Sequence, residues 1–186
     1  DYTRKQDKVM VAGVEHTFSW GGGHGARAKY SSSGIFLIID VTAYYPSLQK
    51  KYHFGYRVMN HPENFEFIHD SNIEFKRKGD KKARQPFKIM DNAISGQMKQ
   101  KQSSLYDPMS NNSICINGQL LLLDLVEHIE PYCELIQNNT DGIIVKIKDY
   151  DRDFDKLDDI VYEWEQRTGM KMDFDTFIGD IYQKDV

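Results

Sequence analysis

Asp40 closes the apolar run Ile35–Ile39, and Asp141 lies in the stretch Asn138-Asn139-Thr140-Asp141-Gly142 between two short apolar segments. An acid at either place alone is ordinarily structural, as a helix cap after a strand or as a turn residue. Together they suggest more. An antiparallel sheet that lays the first segment beside a hairpin could bring both acids to one edge. Paired carboxylates there could clamp two divalent ions ~3.5–4 Å apart, one activating an attacking oxygen and one stabilising the leaving oxygen of a phosphoryl transfer. Two carboxylates suit Mg²⁺, which keeps waters and substrate phosphates among its ligands. A basic run fits the same chemistry. Lys76, Arg77, Lys78, Lys81, Lys82, Arg84 and Lys88 face the single acid Asp80. Such a run is usually a solvated helical hairpin and gains meaning only beside a phosphate-handling site. Gly21, Gly22, Gly23 and Gly25, around His24, form a cluster where backbone could approach another molecule closely.

The elements that must hold these residues are legible in outline. Val9–Val11 and Val14–Phe18 read as a hairpin about Ala12-Gly13, followed by the glycine cluster, either a plain turn or a site of close backbone approach. Gly34–Asp40 reads as a strand covered on both faces, since its apolar run is continuous and β-branched. Pro46 suits the first turn of a helix running to Tyr52, and Pro62 opens another that ends near Lys78. After the Gly79-Asp80 turn a further helix spans Lys81–Lys99, with Pro86 in its first turns. A long buried helix is expected over Asn112–Ile129. Leu135-Ile136 and Ile143–Ile147 form strands with Asp141 at or just past the tip of their hairpin. Leu157, Ile160, Val161 and Trp164 recur at helical spacing within Arg152–Arg167, and Gly169 stops that helix. Met170, Met172 and Phe174 then alternate with Lys171, Asp173 and Asp175, as in an antiparallel strand.

Composition narrows the class. With 186 residues, 40% hydrophobic and 28% charged, the chain can bury one sizeable core, which excludes a disordered or collagen-like polymer. The longest apolar runs, Ile35–Ile39 and Leu120–Leu123, fall far short of the ~20 residues that span a bilayer. The net charge of −4 argues mildly against a nucleic-acid binder, but the charge is uneven, basic over Lys76–Lys88 and acidic after Asp149. Cys115 and Cys133 sit in segments patterned for burial and are expected as thiols in a reducing compartment. The first residue is Asp1, without a recognisable leader, and the chain reads as a piece of a longer one.

Three segments carry a resemblance. Asp40-Val-Thr-Ala-Tyr-Tyr-Pro-Ser47 resembles motif A of family B DNA polymerases, D-x-x-S-L-Y-P-S. Lys88-Ile-Met-Asp-Asn92-Ala-Ile-Ser-Gly96 resembles motif B, K-x-x-x-N-S-x-Y-G, and Asn139-Thr-Asp141-Gly resembles motif C, usually D-T-D. The three stand in the family's order, with a basic helical hairpin between the first two. Ser104–Pro108 and Ile116–Leu125 look like the compact polymerases of phages and prophages of Gram-positive bacteria, and the likeness covers nearly the whole chain.

The resemblance implies an α+β fold, an antiparallel ferredoxin-like palm sheet with helices on one face and a short two-helix fingers insertion. Residues 1–61 would be the N-terminal palm, 62–98 the fingers, and 99–186 the C-terminal palm, ending before a thumb. The implied activity is template-directed DNA synthesis from dNTPs on a DNA primer-template, with two Mg²⁺ ions that Mn²⁺ could replace. Asp40 and Asp141 would be the catalytic metal-binding pair, with the Val41 carbonyl as a further ligand. Ala43 and Tyr44 would meet the triphosphate through the main chain, Tyr45 would be the gate against a ribose 2′-OH, and Lys76, Lys88 and Asn92 would bind the incoming nucleotide. Gly22, Gly23, Gly25 and Gly96 would contact DNA, as would Lys184 in a segment like the start of the family's K-x-Y region. The protein is then expected to be a cytoplasmic monomer, phage or prophage encoded, with no membrane partner.

Departures from the pattern are equally plain. Asn139 stands for the first Asp of motif C, Ser95 for the motif B tyrosine, and Asp91 for a usual leucine. Asn72 occupies the place, one turn before Lys76, where the family often has an arginine. These departures leave open an inactive fragment acting as a DNA-binding or replisome-interaction module. A primase or reverse transcriptase of palm type is opposed by Tyr45 at the sugar gate.

Overall fold

The computed structural model describes residues 6–183. The chain divides into two compact units, Asp1–Val41 with Gly118–Val186, and Thr42–Asn117.

The first unit is built on a seven-stranded sheet. β1 (Asp7–Val11) and β2 (Val14–Ser19) form the expected hairpin, followed by β3 (Gly22–Ala26), β4 (Tyr30–Val41), β5 (Cys133–Asn139), β6 (Gly142–Ile147) and β7 (Met172–Gln183). The order is β1-β2-β3-β5-β6-β4-β7, with neighbouring strands antiparallel. Its last four strands, in the order β5-β6-β4-β7, have the strand order of a ferredoxin-like βαββαβ unit.

Helices cover one face of this sheet. Leu37, Ile39 and Val41 of β4 and Ile143, Val145 and Ile147 of β6 are buried, as are Leu122, Leu125, Val126 and Ile129 of α4 (Pro108–Ile129). Leu157, Val161 and Trp164 of α5 (Tyr150–Thr168) join them, and the Trp164 indole N–H donates to the Leu121 carbonyl at 2.9 Å. That bond satisfies the one polar atom of the largest buried side chain. Cys115 and Cys133 are buried thiols, as expected.

Two expectations change here. The glycine cluster is a strand rather than a turn. β3 pairs with β2 and β5 through its main chain, which needs no side chains, and a Cβ on Gly25 would stand 2.7 Å from the Glu15 carbonyl oxygen. Glycine is what lets β2 lie so close. β4 is covered on both faces only in part. Leu37 and Ile39 are wholly buried under the helices, whereas on the other face Phe36 is buried against Phe177 and Ile38 and Asp40 are exposed, because the helices cover one side of the sheet only.

The second unit is helical. It holds α1 (Tyr44–Tyr52), a short 3₁₀ turn at Tyr56–Val58, α2 (Pro62–Arg77), α3 (Lys81–Gln97) and the start of α4. Pro62 occupies the first turn of α2, and Asp80 caps α3 by accepting from the Ala83 N–H at 2.9 Å. α4 begins at Pro108, ahead of the expected Asn112, because Asp107 caps it. The Asp107 carboxylate accepts from the Ser110 N–H at 3.1 Å and from the Ser110 hydroxyl at 2.7 Å, and the Arg57 guanidinium grips it through two nitrogens at 2.8 and 2.5 Å. Among the described residues no helix is long and apolar enough to cross a membrane.

Candidate active site

β4 and β6 are adjacent antiparallel strands, and their register sets Asp40 opposite Gly142. One residue on, the Val41 N–H donates to the Asp141 carbonyl at 2.7 Å. The strand end and the hairpin turn are therefore stitched together at the two aspartates. Asp40 and Asp141 line one open cleft of about 130 Å³ with Ile38, Gln137, Asn139 and Gly142. A Cβ on Gly142 would stand 2.6 Å from Asp40 Oδ1, so the missing side chain is the space in which the Asp40 carboxylate lies.

The turn that carries Asp141 is held from below. Thr140 adopts a left-handed φ of 47°, its N–H donates to the Gly23 carbonyl at 2.8 Å, and the Asp141 N–H donates to the Asn139 carbonyl at 2.5 Å. Sequence spacing had no means of showing that the glycine strand buttresses the turn that carries Asp141. His24, opposite Asn139 in the β3–β5 register, approaches the Asn139 amide oxygen through Nδ1 at 3.1 Å and the Thr140 hydroxyl through Nε2 at 3.4 Å. Desolvation raises the Asp141 pKa above its ordinary value, opposed by the carboxyl's own backbone hydrogen bond and by the nearby His24. A cation brought to this carboxylate would offset that cost.

β7 adds carboxylates that the sequence presented only as alternating polar residues. Asp173 lies directly opposite Asp40 across β4–β7, and Asp175 lies opposite Ile38. Like charges facing each other on a sheet repel. Even so, among the described residues no group of three or more His, Cys, Asp or Glu is disposed to hold a metal ion. The donor set on Asp40 and Asp141 is two carboxylates, with hard oxygens, at an open cleft. It fits Mg²⁺, which needs few protein ligands when substrate phosphates complete its sphere.

The remaining candidates in the first unit are Val41, Gly22, Gly23 and Gly25. Val41 has a buried side chain, and the three glycines are buried within β3. Lys184 lies outside the described residues.

Ala43, Tyr44, Tyr45, Lys76, Lys88, Asn92 and Gly96 belong to the second unit. Ala43 is the N-cap of α1 with a left-handed φ of 46°, a conformation that costs a residue with a Cβ. Tyr44 is buried, and its ring lies 6.0 Å from that of Tyr45. Tyr45 hydrogen-bonds the Cys115 thiol, whose pKa burial raises. The Lys76 ammonium donates to the Thr42 hydroxyl at 2.7 Å. Lys88, Asn92 and Gly96 are exposed on α3 at intervals of four residues, so they follow one stripe of the helix.

The departures from the motif pattern have partners of their own. Ser95 donates to the buried Gln49 side-chain oxygen at 2.8 Å, and Asn72 donates to buried Asp91 at 2.8 Å. Two of the unusual residues, Asn72 and Asp91, thus meet each other.

The fold is similar to that of the family B DNA polymerase from the hyperthermophilic archaeon Pyrobaculum calidifontis, with a TM-score of 0.57 and 17% sequence identity. The likeness covers 94% of this chain and 26% of that one, so the chain spans about a quarter of that polymerase. No family model matches the sequence. No curated protein matches it either. What is shared is the fold, an antiparallel sheet with helices of the α+β class.

Proposed function

We propose that this chain is the palm and fingers region of a template-directed DNA polymerase of family B, of the phage or prophage type. The observation that carries the proposal is the meeting of Asp40 and Asp141 in one cleft, in a fold similar to part of such a polymerase. Residues 62–98, which include the α2–α3 hairpin, are the proposed fingers.

Two Mg²⁺ ions held by Asp40, Asp141 and the Val41 carbonyl would supply activation of a primer 3′-hydroxyl and relief of the charge on the departing pyrophosphate. Asp40 is held ready by the space over Gly142, and Asp141 by a turn whose main chain is tied to β3 and β4. In this reading Ala43 and Tyr44 offer main-chain contacts to the triphosphate. The Tyr45 ring fills the place into which a ribose 2′-OH would project. Lys76 and Lys88 supply positive charge to the phosphates, with Asn92 beside Lys88 on the same stripe. Gly96 lies further along that stripe as a DNA contact, and Lys184 is a proposed contact at the primer end. Gly22, Gly23 and Gly25 are proposed to serve the template side by keeping β3 free of side chains, their own backbone being buried in the sheet. The partners are a DNA primer-template and dNTPs, and the compartment is the cytoplasm of a bacterial host.

A second reading, an inactive module that keeps the fold and binds DNA or replisome proteins, is favoured by Asn139, which places an amide where the motif has a carboxylate. Primer extension separates the two. A longer polypeptide that carries these residues is expected to extend a primer with dNTPs and to lose that activity on Asp141→Asn with primer-template binding kept, since DNA affinity resides mainly in phosphate contacts, whereas the 186 residues alone are expected to extend little or not at all. Absence of extension by the unsubstituted longer polypeptide, with DNA binding intact, would favour the inactive module.

A further inference from the structure

One row of residues runs straight across the open face of the sheet. Asp173 lies opposite Asp40, Asp40 opposite Gly142, Gly142 opposite Asn139, and Asn139 opposite His24. Residues paired in this way share a face, and adjacent strands stand about 4.8 Å apart, so His24 closes on the β3 side the row that carries Asp40. Its imidazole reaches two residues of the turn that holds Asp141. Nδ1 lies 3.1 Å from Asn139 Oδ1, and Nε2 lies 3.4 Å from the Thr140 hydroxyl. Chemistry assigns the hydrogens. An amide oxygen only accepts, so Nδ1 donates to Asn139, and Nε2 of a neutral ring then accepts from the Thr140 hydroxyl.

The turn needs such a clamp. Thr140 is β-branched and has a φ of 47°, a left-handed conformation that such residues seldom adopt and that persists only where the surroundings enforce it. The Thr140 N–H donates to the Gly23 carbonyl at 2.8 Å and the Val41 N–H to the Asp141 carbonyl at 2.7 Å. Those bonds fix the main chain, whereas His24 fixes the side chains of Asn139 and Thr140. β5 itself does not depend on His24. On the buried face Asn138 Nδ2 meets His16 Nδ1 at 3.1 Å across Gly25, so removal of the His24 ring leaves the strand anchored.

We propose that His24 is the positioning residue for Asp141: by bridging Asn139 and Thr140 it holds the strained turn and so the carboxylate that lines the cleft. This rests on the reading of Asp40 and Asp141 as a divalent-cation site. It gives Asn139 a definite part. The amide is a brace between His24 and the turn rather than a metal ligand, with its oxygen turned to the imidazole. An ordinary cross-strand pair is the competing role for His24, and it would stabilise the sheet without regard to the cation.

The test is Mn²⁺ binding to this chain, read by water-proton relaxation, together with hydrogen exchange of the Thr140 amide, read by NMR. His24→Ala is expected to weaken Mn²⁺ about ten-fold, the lower end for loss of a group that orients a metal ligand, and to speed Thr140 exchange measurably. Asn139→Ala should reproduce most of the Mn²⁺ loss, and the double variant should lose no more than His24→Ala, because each removes the same contact. His24→Gln, whose amide N–H can donate to Asn139, should fall between wild type and His24→Ala, and it carries the comparison if circular dichroism shows His24→Ala unfolded. A lowered urea midpoint with unchanged Mn²⁺ affinity would reduce His24 to the cross-strand pair. A loss in His24→Ala with none in Asn139→Ala would make the imidazole a direct ligand, and losses that add in the double variant would separate the two residues. Any of these results would overturn this inference alone. Failure of the unsubstituted chain to bind Mn²⁺ would overturn the divalent-cation reading together with it.

Discussion

Gly142→Ala separates the stability of the sheet from the fitness of its cleft. The substitution is conformationally permitted, because Gly142 is absent from the positive-φ positions and lies in β6. Its Cβ would stand 2.6 Å from Asp40 Oδ1, 3.0 Å from the Ile39 carbonyl oxygen and 3.3 Å from Asp40 Cα. Ordinary contact for these atoms begins near 3.4 Å, so the Asp40 carboxylate must retreat by nearly an ångström. Folding gains back roughly 0.5–1 kcal/mol from replacing glycine in a strand, against overpacking of roughly 1–3 kcal/mol. The net is a destabilisation of about 1 kcal/mol, a fall in Tm of about 2–4 °C for a chain of this size. The cleft is less forgiving. Displacement of a functional group by ~1 Å can cost 10²-fold. Mn²⁺ affinity read by water-proton relaxation is therefore expected to fall at least ten-fold while the urea midpoint drops by only about 0.5 M. Unchanged Mn²⁺ binding in a folded Gly142→Ala protein would refute the claim that this glycine makes room for a metal-binding carboxylate.

Acid stability is expected to depend on Asp107. Its hydrogen bonds from Arg57, and then those from Ser110, hold the carboxyl at about 2 against an ordinary 3.8. The lowered value means that the stabilisation is full above about pH 4 and is lost as pH falls toward 2, to a total of about 2 kcal/mol. Urea unfolding of wild type and Asp107→Asn should differ by about this much at pH 6 and converge near pH 2; a gap that persists at pH 2 would contradict the assignment. Under the proposed function, Tyr45→Ala should raise incorporation of ribonucleotides relative to deoxyribonucleotides. An unchanged preference in primer extension would return Tyr45 to the role of a packing residue held by Cys115.

Most of the elements were legible because their signals are local. Trp164 and its partners at helical spacing, Gly169 after them, and Asn-Thr-Asp-Gly between two apolar runs each announce an element within a few residues. β3 was not legible as a strand, since glycines carry no side-chain periodicity and its pairing with β5 joins residues more than a hundred positions apart. The open face of β4 was hidden for a related reason, as Ile38 is apolar yet exposed in a run that otherwise reads as covered on both sides. At the site, the aspartates announced themselves by position, whereas the supports did not. His24 beside Asn139, Gly23 beneath Thr140 and Asp173 across from Asp40 follow from sheet register, which one sequence does not display. Asn72 and Asp91 looked like two unrelated departures until their hydrogen bond showed them to be one substitution in physical terms.

The central claim is that Asp40 and Asp141 form one divalent-cation site, and a Mn²⁺ titration of the chain tests it most directly. Paramagnetic broadening should appear first at Asp40, Asp141 and Gly142, spread next to Asn139 and Asp173, and be lost on either Asp40→Asn or Asp141→Asn. Broadening that begins elsewhere, or that survives both substitutions in folded protein, would contradict the account.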